Sequence, residues 1–156
     1  MALQVGTKAP GARVAVRPRE WVNLDDWFGE RPAVLLFFPL AFSSTCTAEM
    51  CGIAEDWSAW SALGANVLGI SVDSPYVNVK FAAETKVPFP VVSDFNREAS
   101  RAYDVLRADL GGLLAVSDRV VFVIDRGGRV SWVWQGEHPG VLPSLEEIKA
   151  AVRQAS

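Results

Sequence analysis

Thiols are scarce in this 156-residue chain. There are two cysteines, Cys46 and Cys51, and a single histidine, His138. No C-x-x-C occurs, which argues against dithiol exchange by a vicinal pair. With one histidine, a Cys/His zinc site would need carboxylates to complete it, so a metal site is disfavoured. No apolar run approaches the ~18 residues of a membrane span, and "MALQVGTKAP" lacks the apolar core of a secretory leader. Like charges form no block, and the net charge is only −3. That leaves no electrostatic footprint for nucleic acid or an anionic membrane. There is no repeat, low-complexity stretch or linker, so residues 1–156 are read as a single domain. The simplest compartment is the cytoplasm, where thiols rest reduced and cysteines are more often catalytic, redox-active or metal-binding than structural.

What is abundant is apolar bulk: half the residues are hydrophobic, with six tryptophans and eight phenylalanines. Residues 12–16 ("ARVAV") and 20–24 ("EWVNL") flank "RPR" and predict an N-terminal β-hairpin. "AVLLFF" (33–38) is apolar on both faces, as a buried central strand should be, and Pro39 ends it because it has no N–H for a ladder. "VLGISV" (67–72) and "VVFVI" (120–124) repeat that pattern. The turn "DRGG" leads into a second hairpin arm, 129–134. Helices are expected over 46–63, from Ser74-Pro75, over 96–103, and from Ser144, where Ser144-x-x-Glu147 has the form of a capping box. This order predicts an α/β fold with a central mixed sheet flanked by helices. The antiparallel hairpin near the C-terminus points to a thioredoxin-like sheet.

Both cysteines fall on the first long helix. Cys46, Met50, Ile53, Trp57 and Trp60 form one apolar stripe, so Cys46 reads equally well as a small buried hydrophobe. Its position says more. Preceded by Ser43-Ser44-Thr45, it lies in the first helical turn, where unpaired N–H groups and the positive end of the dipole favour the nucleophilic thiolate. Cys51 lies ~7.5 Å further along the axis and ~140° around it. Disulfides need Cα atoms within about 7 Å and converging Cβ vectors, so the two thiols join only if the first turns unwind. A two-step scheme remains: Cys46 is oxidised to a sulfenic acid, the helix start melts, and Cys51 condenses with it.

"PLAFSSTC" carries the peroxiredoxin pattern P-x-x-x-[T/S]-x-x-C, with Pro39, Ser43 and Cys46 in the fixed places. "VGTKAP", "VPFPVVSDFN" (87–96) and "DRVVFVIDRGGRV" (118–130) resemble further family segments in order and spacing. The body, including "VLLFFPLAF", resembles the AhpE type. "CTAEMC" resembles the "CTxExC" of the bacterioferritin-comigratory, Q-type members.

The resemblance implies the roles. Cys46 matches the peroxidatic cysteine and Cys51 the resolving one. Ser43 stands where threonine is commoner, and its hydroxyl would bond the peroxide. Pro39 would shield the sulfur, and Arg119 would lie beside the thiolate, where an always-charged fork of donors suits that task. A snorkelling surface role is the alternative for Arg119. Glu49 matches a glutamate found three residues after the peroxidatic cysteine in many relatives, with plain helix-dipole stabilisation as its alternative. The expected activity is thiol-dependent reduction of hydrogen peroxide, organic hydroperoxides or peroxynitrite, and the resemblance implies no cofactor: no metal, haem or flavin. A thioredoxin- or glutaredoxin-like reductant would return the electrons, and a homodimer is possible within the family. The alternatives are a one-cysteine cycle resolved by an external thiol and a non-enzymatic redox sensor.

Overall fold

A computed structural model describes residues 2–156. Its centre is β3 (Ala33–Phe37), buried along its whole length. It pairs in parallel with β4 (Asn66–Ser71) and antiparallel with β8 (Val120–Ile124). Outward from β4 come β5 (Val91–Ser93), β1 (Arg13–Arg17) and β2 (Glu20–Asn23); β9 (Val130–Gln135) closes the other edge. The sheet order is therefore β2-β1-β5-β4-β3-β8-β9, mixed as expected. The N-terminal hairpin turns at Pro18-Arg19, with Arg19 at a left-handed φ of 69°.

Side-chain alternation along β3 divides the core in two. Leu35 and Phe37 face a layer holding Val14, Leu24, Ala99 and Tyr103, while Val34, Leu36 and Phe38 face a layer holding Cys46, Met50, Ile53, Trp60, Phe81 and Ile148. Fully burying a side chain of this size stabilises by about 1.5–3 kcal/mol relative to exposure, which is why a strand apolar on both faces belongs at the centre. Helices α1 (Ser44–Glu55), α3 (Pro75–Thr85) and α5 (Leu145–Ala155) contribute to the second layer.

The helix expected over 46–63 is two helices. α1 ends at Glu55, and α2 runs Trp57–Ala62. Asp56 breaks them: its N–H closes a tight bond to the Ile53 carbonyl, its own carbonyl starts α2, and its carboxylate is drawn to Lys149 of α5. The apolar stripe survives the break, with Cys46, Met50, Ile53 and Trp60 buried and Trp57 half-buried against Phe89. The helix over 96–103 shortens to α4 (Glu98–Ala102). Ser74 and Ser144 cap α3 and α5 by accepting the Val77 and Glu147 amides. Besides the β1–β2 and β8–β9 hairpins, a third, β6 (Leu106–Leu110) and β7 (Leu113–Ser117), stands apart from the main sheet.

Candidate active site

The site forms where β3 gives way to α1. The Phe38 N–H donates to the Ile70 carbonyl, and Pro39 then removes the next donor and releases the chain from the sheet. The following loop is tethered. The Ala41 N–H donates to Asp73 Oδ2 at 2.8 Å, and the Ser71 hydroxyl donates to the same oxygen at 2.7 Å. Phe42 adopts a left-handed φ of 67°, uncommon for a bulky residue, and lays its ring against Phe81 at 5.2 Å. Ser43 is the N-cap residue, extended at φ −69°, ψ 150°, and its carbonyl accepts the Thr47 amide. Its hydroxyl does not cap the helix; it donates to the Leu40 carbonyl at 3.0 Å.

Cys46 is thus the third residue of α1, in the turn whose N–H groups have no helical acceptor. It is buried, yet its sulfur has a polar partner. Arg119, the residue before β8, reaches under the helix and is itself 2% exposed. Its Nη2 donates to Cys46 Sγ at 2.8 Å, its Nη1 to Glu49 Oε1 at 2.7 Å, and its Nε to the Pro139 carbonyl at 2.9 Å. Three acceptors, two on α1 and one in the turn at Pro139, fix the plane of the guanidinium. Arg119 and Glu49 are buried and paired with each other, which does not fit a snorkelling arginine, and Glu49, the sixth residue of α1, lies beyond its first turn.

Glu49 is the less settled partner. Burial pushes its carboxyl from the ordinary 4.5 up to about 7, with the charge and hydrogen bond of Arg119 opposing the rise. Its second oxygen, Oε2, is buried without a hydrogen-bond partner. A neutral carboxylic acid satisfies such a position better than a carboxylate.

Above the sulfur lies a cleft of about 180 Å³. Pro39, Leu40, Ser43 and Thr45 form one wall, Leu110 of β6 another, and Pro139 and Gly140 a third, with Cys46 and Arg119 at the base. Hollows of about 500 and 440 Å³ elsewhere contain no cysteine and are the poorer candidates despite their size. Cys46, Arg119, Ser43 and Pro39 therefore meet at one cleft, with Glu49 behind Arg119. Cys51 does not join them. It is half-buried, opens toward Glu84, Thr85 and Lys86 at the far end of α3, and both cysteines are free thiols. The intact α1 holds them apart.

Three groups at the site carried no sequence expectation. Asp73 anchors the loop before Cys46, the Pro139 carbonyl holds Arg119, and Asp118 accepts the Arg119 amide and pairs with Arg107 at 3.4 Å. The Pro-Gly pair at 139–140 was the one legible signal among them, as a turn. No cluster of three or more His, Cys, Asp or Glu side chains among the described residues is arranged to hold a metal ion. No helix among them is long and apolar enough to cross a membrane.

A sequence model of the AhpC/TSA family matches residues 5–133. The chain belongs to that family. This AhpC/TSA member is 34% identical over 136 residues to the Bcp peroxiredoxin of Coxiella burnetii, covering 86% of this chain and 89% of the relative. It is 30% identical over 137 residues to Peroxiredoxin Bcp of Bacillus subtilis, covering 86% and 87% of the two chains. In fold it is similar to Peroxidoxin BcpB from Mycobacterium tuberculosis, with a TM-score of 0.85 and 24% identity over 99% of both chains. A peroxiredoxin-like protein from Aquifex aeolicus gives a TM-score of 0.88 at 23% identity, covering 100% of this chain and 90% of that one. The fold is thioredoxin-like, and the protein is a thiol-dependent peroxidase, an oxidoreductase of the peroxiredoxin class.

Proposed function

We propose that Cys46 is the peroxidatic residue, and that it reduces hydrogen peroxide and organic hydroperoxides in the cleft floored by Arg119. The observation that carries this reading is the 2.8 Å bond from Arg119 Nη2 to a sulfur seated in the first turn of a helix. Attack by the Cys46 thiolate forms an S–O bond and breaks the peroxide O–O bond. The sulfur is oxidised by two electrons to a sulfenic acid, and the departing oxygen leaves as hydroxide or alkoxide and takes a proton. The Arg119 guanidinium balances charge on sulfur first and on the departing oxygen afterwards. Ser43, its hydroxyl proton given to Leu40, keeps lone pairs with which to accept the peroxide O–H. Pro39 screens the sulfur from bulk water. Glu49 positions Arg119 from behind.

In the second half-reaction the Cys51 thiol condenses with the sulfenic acid, forming an intramolecular disulfide and releasing water. The helix between the two cysteines must unwind for this. It can begin at the N-terminal end, where the first N–H groups have no helical bonds to lose. A thioredoxin- or glutaredoxin-like dithiol then returns two electrons. What supports this arrangement is the presence of both free thiols on one helix, five residues apart. We place the protein in the cytoplasm as a single-domain enzyme able to form homodimers. Mass spectrometry after one equivalent of peroxide tests the scheme: it should locate the first oxidation on Cys46 and then a Cys46–Cys51 link. A persistent sulfenic acid with Cys51 still free would favour the one-cysteine cycle, and consumption of one peroxide per chain under excess reductant would favour a sensor.

A further inference from the structure

The lone histidine lies outside the mechanism, yet it organises one wall of the cleft. Residues 138–141 form a β-turn, closed by the Val141 N–H donating to the His138 carbonyl at 3.1 Å, with Pro139 and Gly140 at its corners. At the first position of such turns Asp, Asn and Ser are favoured, because their side chains accept the backbone N–H two residues on. His138 does the same with an imidazole: its Nδ1 accepts the Gly140 N–H at 3.1 Å. The ring lies so close over Gly140 that a Cβ there would come within 3.1 Å of Cε1 and Nδ1. This turn carries the Pro139 carbonyl, which receives the Arg119 Nε–H at 2.9 Å. One short relay thus runs from an exposed imidazole, through a turn, to the guanidinium that touches Cys46.

We propose that His138 is a positioning residue for peroxide reduction: by ordering the Pro139-Gly140 turn it holds the carbonyl that orients Arg119 against the Cys46 sulfur. Of the three acceptors on Arg119, Cys46 changes during the reaction and Glu49 changes with protonation. The Pro139 carbonyl can neither titrate nor be oxidised, so the orientation of the guanidinium through the cycle depends on where the turn holds it. The inference rests on the role given to Arg119 above.

The test is a mutant cycle read by the second-order rate of Cys46 oxidation with hydrogen peroxide. His138→Ala should slow oxidation about fivefold, the scale of one modest hydrogen bond lost from a positioning relay. His138→Asn, whose amide oxygen reaches the same N–H, should restore most of the rate. On an Arg119→Met background, His138→Ala should add nothing, because the group it positions is gone. Thermal unfolding should move little in any His138 variant, since the residue is exposed. A normal rate in His138→Ala, no rescue by asparagine, or an undiminished effect on the Arg119→Met background would each overturn the proposal. If Arg119→Met itself reacts at the wild-type rate, the reading of Arg119 has failed, and this inference falls with it.

Discussion

The two ends of one turn and a half of α1 could hardly differ more. At Cys46 the sulfur is buried, faces a cation at 2.8 Å and shares a cleft with a serine and a proline. At Cys51 the sulfur is half-buried on the opposite side of the helix, toward the end of α3, with no such apparatus. The same side chain sits in both places, so the difference lies in the surroundings. Helix rotation sends residues five apart to nearly opposite sides. In the proposed scheme one thiol reacts first, and the other stays out of reach until it has.

Cys46→Ser is the severest test of that contrast. It should abolish peroxidase turnover entirely, because the chain has only one other sulfur nucleophile and that one lies outside the cleft. Steady-state peroxide consumption with excess thioredoxin checks it, and substantial residual turnover would break the assignment. Cys51→Ser should separate the two half-reactions. The first peroxide should react at nearly the normal rate, and the variant should then persist as a sulfenic acid, over-oxidise more readily and lose turnover with thioredoxin. If it cycles as fast as wild type, Cys51 is a bystander and the contrast between the two environments has no catalytic meaning.

Much of this arrangement was legible in the sequence, because its determinants are local. The run apolar on both faces, Pro39, the Ser-Ser-Thr entry and the spacing of Cys46 and Cys51 are read along one segment. What escaped depends on contacts distant in sequence. Glu49 looked like a first-turn acid until Arg119, 70 residues away, paired with it. The break at Asp56 is tied to Lys149 on α5, 93 residues on, which no helical periodicity could register. The Pro139 carbonyl is a backbone group, and composition says nothing about where it points. The β6–β7 hairpin is a different case. Gly111-Gly112, both at positive φ, is a direct signal for a two-residue hairpin turn and was open to reading.

Glu49 sharpens the comparison energetically, since nothing at Cys51 resembles it. Its carboxyl is raised from 4.5 to about 7 by burial. The folded state therefore binds the proton more tightly than the unfolded chain. The stabilisation this represents is complete below about pH 4.5 and is lost as pH rises through about 7. Over that window it amounts to on the order of 3 kcal/mol. Glu49→Gln carries no such titration. Urea unfolding of both proteins between pH 4.5 and 8 should show wild type losing stability relative to the variant as pH rises. Parallel curves would mean that the carboxylate is fully stabilised by Arg119 and that no proton resides there near neutrality.

The smallest expected effect concerns how far α1 must open. Gly52 directly follows Cys51, and a glycine inside a helix costs about 1 kcal/mol relative to alanine. An alanine fits: its Cβ would lie 3.4 Å from Leu145 Cδ1, an ordinary contact, and Gly52 carries no left-handed φ that would forbid it. Gly52→Ala should leave the first reaction with peroxide untouched, because the site around Cys46 is unchanged. If joining the two sulfurs requires unwinding through Cys51 into the next turn, the alanine opposes that opening and should slow disulfide formation by up to about fivefold, from the usual relation between free energy and rate. Amide exchange on the oxidised wild-type protein should then show lost protection across residues 43 to 54. An unchanged rate in Gly52→Ala, with protection lost only before Cys51, would confine the opening to the first turn. The helix end that activates Cys46 would then also be the whole of the hinge that delivers it to Cys51.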